Sequence, residues 1–555
     1  MGFLIFLLVM GLWGWRGYCP PGAEALGRLV TAWLSWGYAG CVLLSALCNA
    51  RARCPWVPLV VVVLPAACVV GWSVQSGWAE PCQLLVLVPF VRSLALLREE
   101  WFRRRRRLLG GSRPVPPLFF LSLAGVILLG AALLMTPGAT QRPLSPVDAL
   151  FLSTSATTVT GLSPVDVSAG LTGFGQLILL LLMQCGALGV MTFSYFVALL
   201  IGSGLSLRDR AELAQAVDSA RLNEAPRIVA HMVLITLLFE AVGAAGLYHA
   251  WRGCPAVPQG QLLWFSIFHA VSGFCNAGIT LFPDNMATPA IRPLWGGHAC
   301  MLLMMAGGSF GFAVYREAGQ RLWQRLRGKR PRPQWSTATW LSLRMTLIMV
   351  LAGTLLLALV SLLPGQNPHG FSLAESFYNG ISARTSGFNI SSFADLGSLY
   401  LVLICLLMFI GGNPGATSGG VMTGAVALAL MELRRILAGQ RDVVLHDRRI
   451  ARSNVERAVC SIALALGWNL LLFLLLCAVE NGRGAGCLSL LFETISSFAT
   501  CGLSVGVTAG LSTAGKGIIM LNMLVGRLGL FSFFLLMLPR PEPELLRCPE
   551  THIPL

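Results

Sequence analysis

Charge is what this sequence has least of. Asp, Glu, Lys and Arg make up 12% of its 555 residues, where a soluble domain carries about 25%. That scarcity, with 55% apolar residues and a mean hydropathy of +0.72, excludes an ordinary soluble protein. Ordered cysteine spacing is also lacking. The 16 cysteines include no CxxC pair and no Cys/His spacing suited to zinc. Several, such as Cys68, Cys405 and Cys477, stand inside apolar runs and read as small core residues. The N-terminus MGFLIFLLVMGLWGW has no basic n-region and no clear cleavage site, so it reads as a first membrane segment rather than a cleaved signal. The net charge of +16 does not point to nucleic acid, because the basic residues fall in short inter-helix loops, as the positive-inside rule produces.

What is present is a polytopic membrane chain. Residues 1–110 hold four apolar stretches, about 3–15, 25–49, 57–78 and 82–98. Arg51, Arg53 and the run Arg103 to Arg107 suit cytoplasmic ends. A voltage sensor is excluded, since only Arg92 lies inside the fourth stretch and a sensor needs basic residues recurring through the span.

From residue 117 a trio repeats: an apolar helix, a segment too short to cross and too apolar for an exposed loop, then a second apolar helix. The trios are 117–136, 148–166 and 171–201; 229–250, 262–285 and 297–315; 340–363, 371–393 and 399–433; and 459–479, 488–507 and 516–538. Gly161, Gly278, Gly387 and Gly502 mark the middle segments at nearly even spacing, each followed by an apolar residue. Such segments suit re-entrant loops, because irregular backbone at membrane depth is tolerated only inside protein or along an aqueous cavity. The expected fold is an all-α polytopic membrane protein. Four helix–pore-loop–helix repeats stand in pseudo-fourfold arrangement around one pore, preceded by about four N-terminal helices. Basic connectors at Arg208 to Arg227, 321–335 and 433–457 put the connectors and both termini in the cytoplasm and the pore segments at the outer face.

The four turns read Thr158-Val159-Thr160-Gly161, Cys275-Asn276-Ala277-Gly278, Arg384-Thr385-Ser386-Gly387 and Ala499-Thr500-Cys501-Gly502. They share backbone and a glycine rather than carboxylates or a catalytic pair. Glycine opens dihedrals that let carbonyl oxygens point inward and replace a cation's water shell. That suits a weakly hydrated monovalent ion such as K⁺; Mg²⁺ would keep waters and favour carboxylates. His269 and Arg384 read as braces for the turns. An intramembrane hydrolase would need a nucleophile paired with a base at depth, and the histidines 231, 249 and 269 have no such spacing.

Two helix interiors break the pattern. Gly411, Gly412, Gly415, Gly419 and Gly420 with Pro414 interrupt the second helix of the third repeat, which cannot stay a straight helix there. Arg527 sits well inside an apolar helix of the fourth, where an ionisable residue is a functional-site candidate. Together they read as a movable gate and a positive constriction.

The motifs SATTVTGLSPVD, QCGALGVMTF, FHAVSGFCNAGITL, ARTSGFN, GGNPGATSGG, FATCGLSVGVT and LSTAGKGIIMLNMLVGRLG resemble those of the Trk/Ktr/HKT superfamily of K⁺ transporters, particularly the TrkH and KtrB type. They span about 117–540. The resemblance implies a filter at the four turns, a gate loop at 411–420 and a pore arginine at 527. It also implies a homodimer in the bacterial inner membrane and separate cytosolic nucleotide-binding regulatory subunits, since no GxGxxG unit occurs in this chain. It implies K⁺ as the transported ion and no cofactor in this chain. Some members carry Ser in the first turn, associated with Na⁺ permeation; glycine at all four turns here favours K⁺, with Na⁺ or mixed transport as the alternative. Met422 stands where relatives usually have Lys after the gate loop.

Overall fold

The computed structural model describes residues 115–189, 225–328, 335–368, 372–445, 448–530 and 533–534. The expected N-terminal helices, the connector at 208–221, the far half of 171–201 and the tail 539–555 lie outside the described residues. The rest is almost entirely helical.

The first trio is α1 (Val115–Leu134), α2 (Pro146–Thr158) and α3 (Gly173–Ala187), the second α4 (Ala225–Ala250), α5 (Leu262–Cys275) and α6 (Trp295–Ser309). After α7 (Phe312–Leu326), the third comprises α8 (Thr337–Ser361), α9 (Leu373–Thr385) and α10 (Ser398–Phe409), continued by α11 (Thr423–Leu437). The fourth is α12 (Arg452–Val479), α13 (Cys487–Ala499) and α14 (Thr513–Leu528). A two-residue hairpin, β1 (Val444–Leu445) against β2 (Arg448–Arg449), sits in the connector before α12.

Among the described residues, α8, α12 and the Val229–Ala250 stretch of α4 are long and apolar enough to cross a membrane. Their outward faces carry exposed leucines, such as Leu234 and Leu238, Leu351 and Leu355, and Leu470 and Leu474. Spaced four apart, these form stripes facing lipid. The interior is the more polar part. In α2, Ser153, Thr154, Ser155, Thr157 and Thr158 are all buried.

Short polar side chains start several helices. Ser145 caps α2, with Pro146 in the first turn, and Thr172, Ser336, Ser372 and Ser512 cap α3, α8, α9 and α14. Each accepts from a backbone N–H that the helix leaves unbonded. Within each trio the short middle helix packs on both of its partners. Between trios, α3 packs on α5, α6 on α9, α10 on α13, and α14 returns to α2.

Three expected helices end sooner than the sequence pattern suggests. Instead of running through 171–201, the first stops at Ala187, with a left-handed Gly189 two residues on. Instead of 297–315, α6 stops at Ser309 and the chain bends by 99° into α7. The segment 321–335, expected as a connector, therefore begins as helix and remains so to Leu326. Instead of 516–538, α14 spans Thr513–Leu528 and ends on Gly529 at φ 78°. Arg527 is thus in the last turn of a helix rather than in its interior. Near each of these ends a helix glycine packs closely on a middle helix. Gly186, Gly308 and Gly526 press on the carbonyl oxygens of Thr157, Phe274 and Phe498, where any Cβ would overlap the oxygen. These contacts fix where each third helix meets the end of its own middle helix.

Candidate functional site

The four middle helices end at the four turns. At Val159, Asn276 and Thr500 the backbone is left-handed, with φ of 59°, 59° and 48°. That conformation is costly for any residue with a Cβ, most of all for branched Val and Thr, at roughly 1–2 kcal/mol each. Its reward is capping: the next residues, Thr160, Ala277 and Cys501, donate backbone N–H to the carbonyls of Ser155, Ser272 and Ser496 at 2.8, 2.8 and 3.0 Å.

Those serines also pin the exit strands through their hydroxyls. Ser272 donates to Ile279 O at 2.7 Å and Ser496 to Leu503 O at 2.6 Å, while Ser155 Oγ accepts from Gly161 N at 3.0 Å. Ser382 plays the same part, donating to Phe388 O. Measured from its serine, however, the third turn is one residue shorter than the others. It consequently has no left-handed residue ahead of its glycine: Thr385 is still helical and Ser386 lies at φ −135°. Aligning the turns by their glycines alone hides this, and places Arg384 beside residues whose backbone it does not share.

The glycines interlock. A Cβ on Gly161 would overlap the Ala277 carbonyl oxygen, one on Gly278 that of Ser386, one on Gly387 that of Cys501, and one on Gly502 that of Thr160. Each glycine also has positive φ, between 67° and 98°. Both space and dihedral therefore demand glycine at these positions. Asn285 adds a further tie, donating to Gly387 O at 3.2 Å.

Of the two residues expected to brace the turns, His269 ties its helix to the exit strand, and Arg384 reaches away from its turn. His269 Nδ1 lies 2.7 Å from Phe265 O, and its Nε2 accepts from Leu281 N at 3.3 Å. Arg384 is buried and reaches the glycine-rich loop, donating to Gly411 O at 3.3 Å. Cys275 and Cys501 contribute side chains as well as backbone: the Cys275 thiol meets Gln184 Oε1 at 3.3 Å, and the Cys501 thiol meets Ala383 O at 3.0 Å.

The loop from Ile410 to Met422 separates α10 from α11. It folds on itself, with Gly411 N bonded to Val421 O at 2.9 Å and Gly411 stacked against the Gly419 carbonyl. Gly412 lies against the Ser418 hydroxyl. Gly415 and Gly420 supply left-handed bends at φ 76° and 77°. Three of the four turns hold this loop. Asn276 Nδ2 donates to Thr417 Oγ1 at 2.8 Å, Gly419 N donates to Thr500 Oγ1 at 2.8 Å, and Arg384 supplies the third bond. Arg527 completes the arrangement. Its guanidinium donates to Thr417 O on the loop and to Gly186 O at the end of α3. Both recorded partners are backbone carbonyls rather than carboxylates, so the charge is not neutralised by them.

Sequence reasoning passed over two carboxylates buried in the interior of apolar helices. Glu240, within α4, accepts from Gln184 Nε2 at 3.2 Å, which links it through Gln184 to Cys275. Glu493, within α13, accepts from Ser504 and Thr508 and holds the fourth exit strand. The signal was available: a single acidic residue inside an apolar helix marks a structural or functional site. Two ion pairs also tie neighbouring trios, Lys516 to Asp148 at 2.7 Å and Arg292 to Glu375 at 2.8 Å.

Lipid-facing helices, together with a match to a cation transport family, make this a membrane ion transporter, not an enzyme. Residues 126–545 match the model of the TrkH family, described as a cation transport protein, and the chain belongs to that family. It is 33% identical over 449 residues to the Ktr system potassium uptake protein B of Vibrio alginolyticus, covering 79% of this chain and 94% of that one. It is 26% identical over 415 residues to the potassium/sodium uptake protein NtpJ of Enterococcus hirae, covering 73% and 89%. The crystal structure of the potassium transporter TrkH from Vibrio parahaemolyticus superposes with a TM-score of 0.61 at 18% identity, over 92% of this chain and 98% of that one, and shares its fold.

Proposed function

We propose that this chain carries K⁺ across the cytoplasmic membrane through one opening ringed by its four glycine turns. The carrying observation is the cyclic interlock, in which each turn glycine seats the carbonyl of a neighbouring turn and the fourth seats that of the first. This supports a pseudo-fourfold arrangement around a filter formed by 158–161, 275–278, 384–387 and 499–502. The carbonyls of Thr160, Ala277, Ser386 and Cys501 are the ligands. Carbonyl oxygens replace the shell of a weakly hydrated ion, and the C-terminal ends of α2, α5, α9 and α13 add partial negative charge.

In this reading the loop at 411–420 is the gate, latched shut by Asn276, Thr500 and Arg384. The Arg527 guanidinium stands at the constriction. A cation passing roughly 6 Å from it at an effective dielectric near 20 meets a barrier of about 3 kcal/mol. Opening must release Thr417 from both Asn276 and Arg527. Since these bonds join gate to filter, movement of the loop also loosens the turns. Assembly as a homodimer in the bacterial inner membrane, with cytoplasmic termini and separate cytosolic nucleotide-binding subunits, belongs to the same reading and rests on the family resemblance.

A second reading is Na⁺ or mixed K⁺/Na⁺ transport, favoured by the name of the Enterococcus relative. Reconstituted protein assayed for ⁸⁶Rb⁺ and ²²Na⁺ uptake separates the two. The K⁺ reading expects Rb⁺ uptake competed by K⁺ and little Na⁺ uptake; equal uptake of both ions supports the second. A Gly161→Ser variant with an unchanged ratio would sink the filter assignment.

A further inference from the structure

The helix α7 lies at 99° to α6 and is covered by protein on the unexpected side. Val314 and Tyr315 anchor its start against the chain, and from Glu317 onward its polar face is the one in contact. Glu317 accepts from Ser336 N and Ser336 Oγ at 2.9 and 2.8 Å and pairs with Arg321 at 3.1 Å, fastening the helix to the start of α8. Its apolar stripe is left bare: Leu322, Trp323 and Leu326 are 59%, 56% and 73% exposed. A surface helix of a water-soluble protein has the opposite arrangement.

Arginines flank the stripe. At 100° per residue, Arg316 and Arg327 fall on one edge of it and Arg325 on the other, all exposed. The Arg327 guanidinium lies 4.4 Å from the Trp323 ring, which places a cation and an amphipathic ring at one level. The depth is also right. With 15 residues, α6 extends about 22 Å, against a hydrocarbon core of about 30 Å. For an α6 that starts at one boundary and runs along the membrane normal, α7 starts within roughly 10 Å of the far boundary, where interfacial helices lie.

We propose that α7 lies in the plane of the membrane surface and binds anionic phospholipid headgroups through Arg316, Arg325 and Arg327, with Leu322, Trp323 and Leu326 in the acyl region. The inference is independent of which ion the chain carries.

The test uses the full chain in nanodiscs of mixed phosphatidylcholine and phosphatidylglycerol, with a small fraction of either lipid brominated on its acyl chain. The Trp323 signal is wild-type fluorescence minus that of Trp323→Phe. The expected result is that brominated phosphatidylglycerol quenches this signal at least about twofold more than brominated phosphatidylcholine at equal mole fraction. The triple variant Arg316→Gln, Arg325→Gln, Arg327→Gln should remove the difference while both lipids still quench. The triple Arg→Lys variant should keep it. Absence of Trp323 quenching by either lipid would overturn the proposal, because the stripe would then be covered by a second copy, by another protein or by water. Equal quenching by the two lipids in wild type, or a preference retained in the Gln variant, would overturn the headgroup site.

Discussion

The third repeat differs from the other three at both ends of the proposed pathway, and the two differences are connected. Repeats one, two and four spend a strained left-handed residue, Val159, Asn276 or Thr500, to turn out of the middle helix. The third omits that residue and runs its helix straight into Ser386. Repeats one, two and four end their third helix against the middle-helix carbonyl through a single glycine, Gly186, Gly308 or Gly526. The third instead opens into the loop before α11, and Arg384 reaches from its turn to Gly411. In the proposed reading, the three regular repeats form the frame and the irregular one supplies the gate. The difference teaches that one copy of a repeated unit can depart from the common geometry at its turn and at its third helix together, while its neighbours hold it.

Disrupting the regular part should have the largest effect. Gly502→Ala forces a side chain onto the Thr160 carbonyl at φ 88°; a combined cost of about 3 kcal/mol predicts Rb⁺ flux reduced on the order of 100-fold in folded, reconstituted protein. Arg527→Ala removes a barrier of about 3 kcal/mol and should raise flux by up to about 100-fold; unchanged or lower flux would remove Arg527 from the gate. Thr500→Ala deletes the acceptor for Gly419 N, a bond worth about 1 kcal/mol, and should raise basal flux about fivefold while Thr500→Ser stays near wild type. A smaller effect belongs to the ties between repeats. Lys516→Met should lower stability by about 1 kcal/mol, read as a fall of a few degrees in the unfolding temperature, with ion preference unchanged. If Thr500→Ala acted like Gly502→Ala, the separation of frame from gate would fail.

The pattern in the chain reveals the frame more readily than the latch. Gly161, Gly278, Gly387 and Gly502 are legible because a backbone that must pass close to another backbone accepts no side chain. The loop at 411–420 is legible because proline and five glycines cannot continue a helix. The helix ends at Ala187, Ser309 and Leu528 are less so, since apolar sequence continues past each and a lone glycine such as Gly189 or Gly529 is a weak stop signal in so glycine-rich a chain. The bonds from Asn276 to Thr417 and from Arg527 to Gly186 join residues far apart in sequence, and no local pattern announces them. The shorter third turn could have been found by counting from Ser155, Ser272, Ser382 and Ser496 as well as from the glycines. Glu240 and Glu493 stood out chemically but were hidden by the apolar runs around them.

The most direct test of the central claim is anomalous scattering from crystals of the protein grown with Rb⁺ or Tl⁺ in place of K⁺. The account predicts an ion peak on the axis between the carbonyl oxygens of Thr160, Ala277, Ser386 and Cys501, at about 3 Å from each. Saturating Rb⁺ or Tl⁺ with no peak inside that ring, or a peak held by side chains elsewhere, would contradict it.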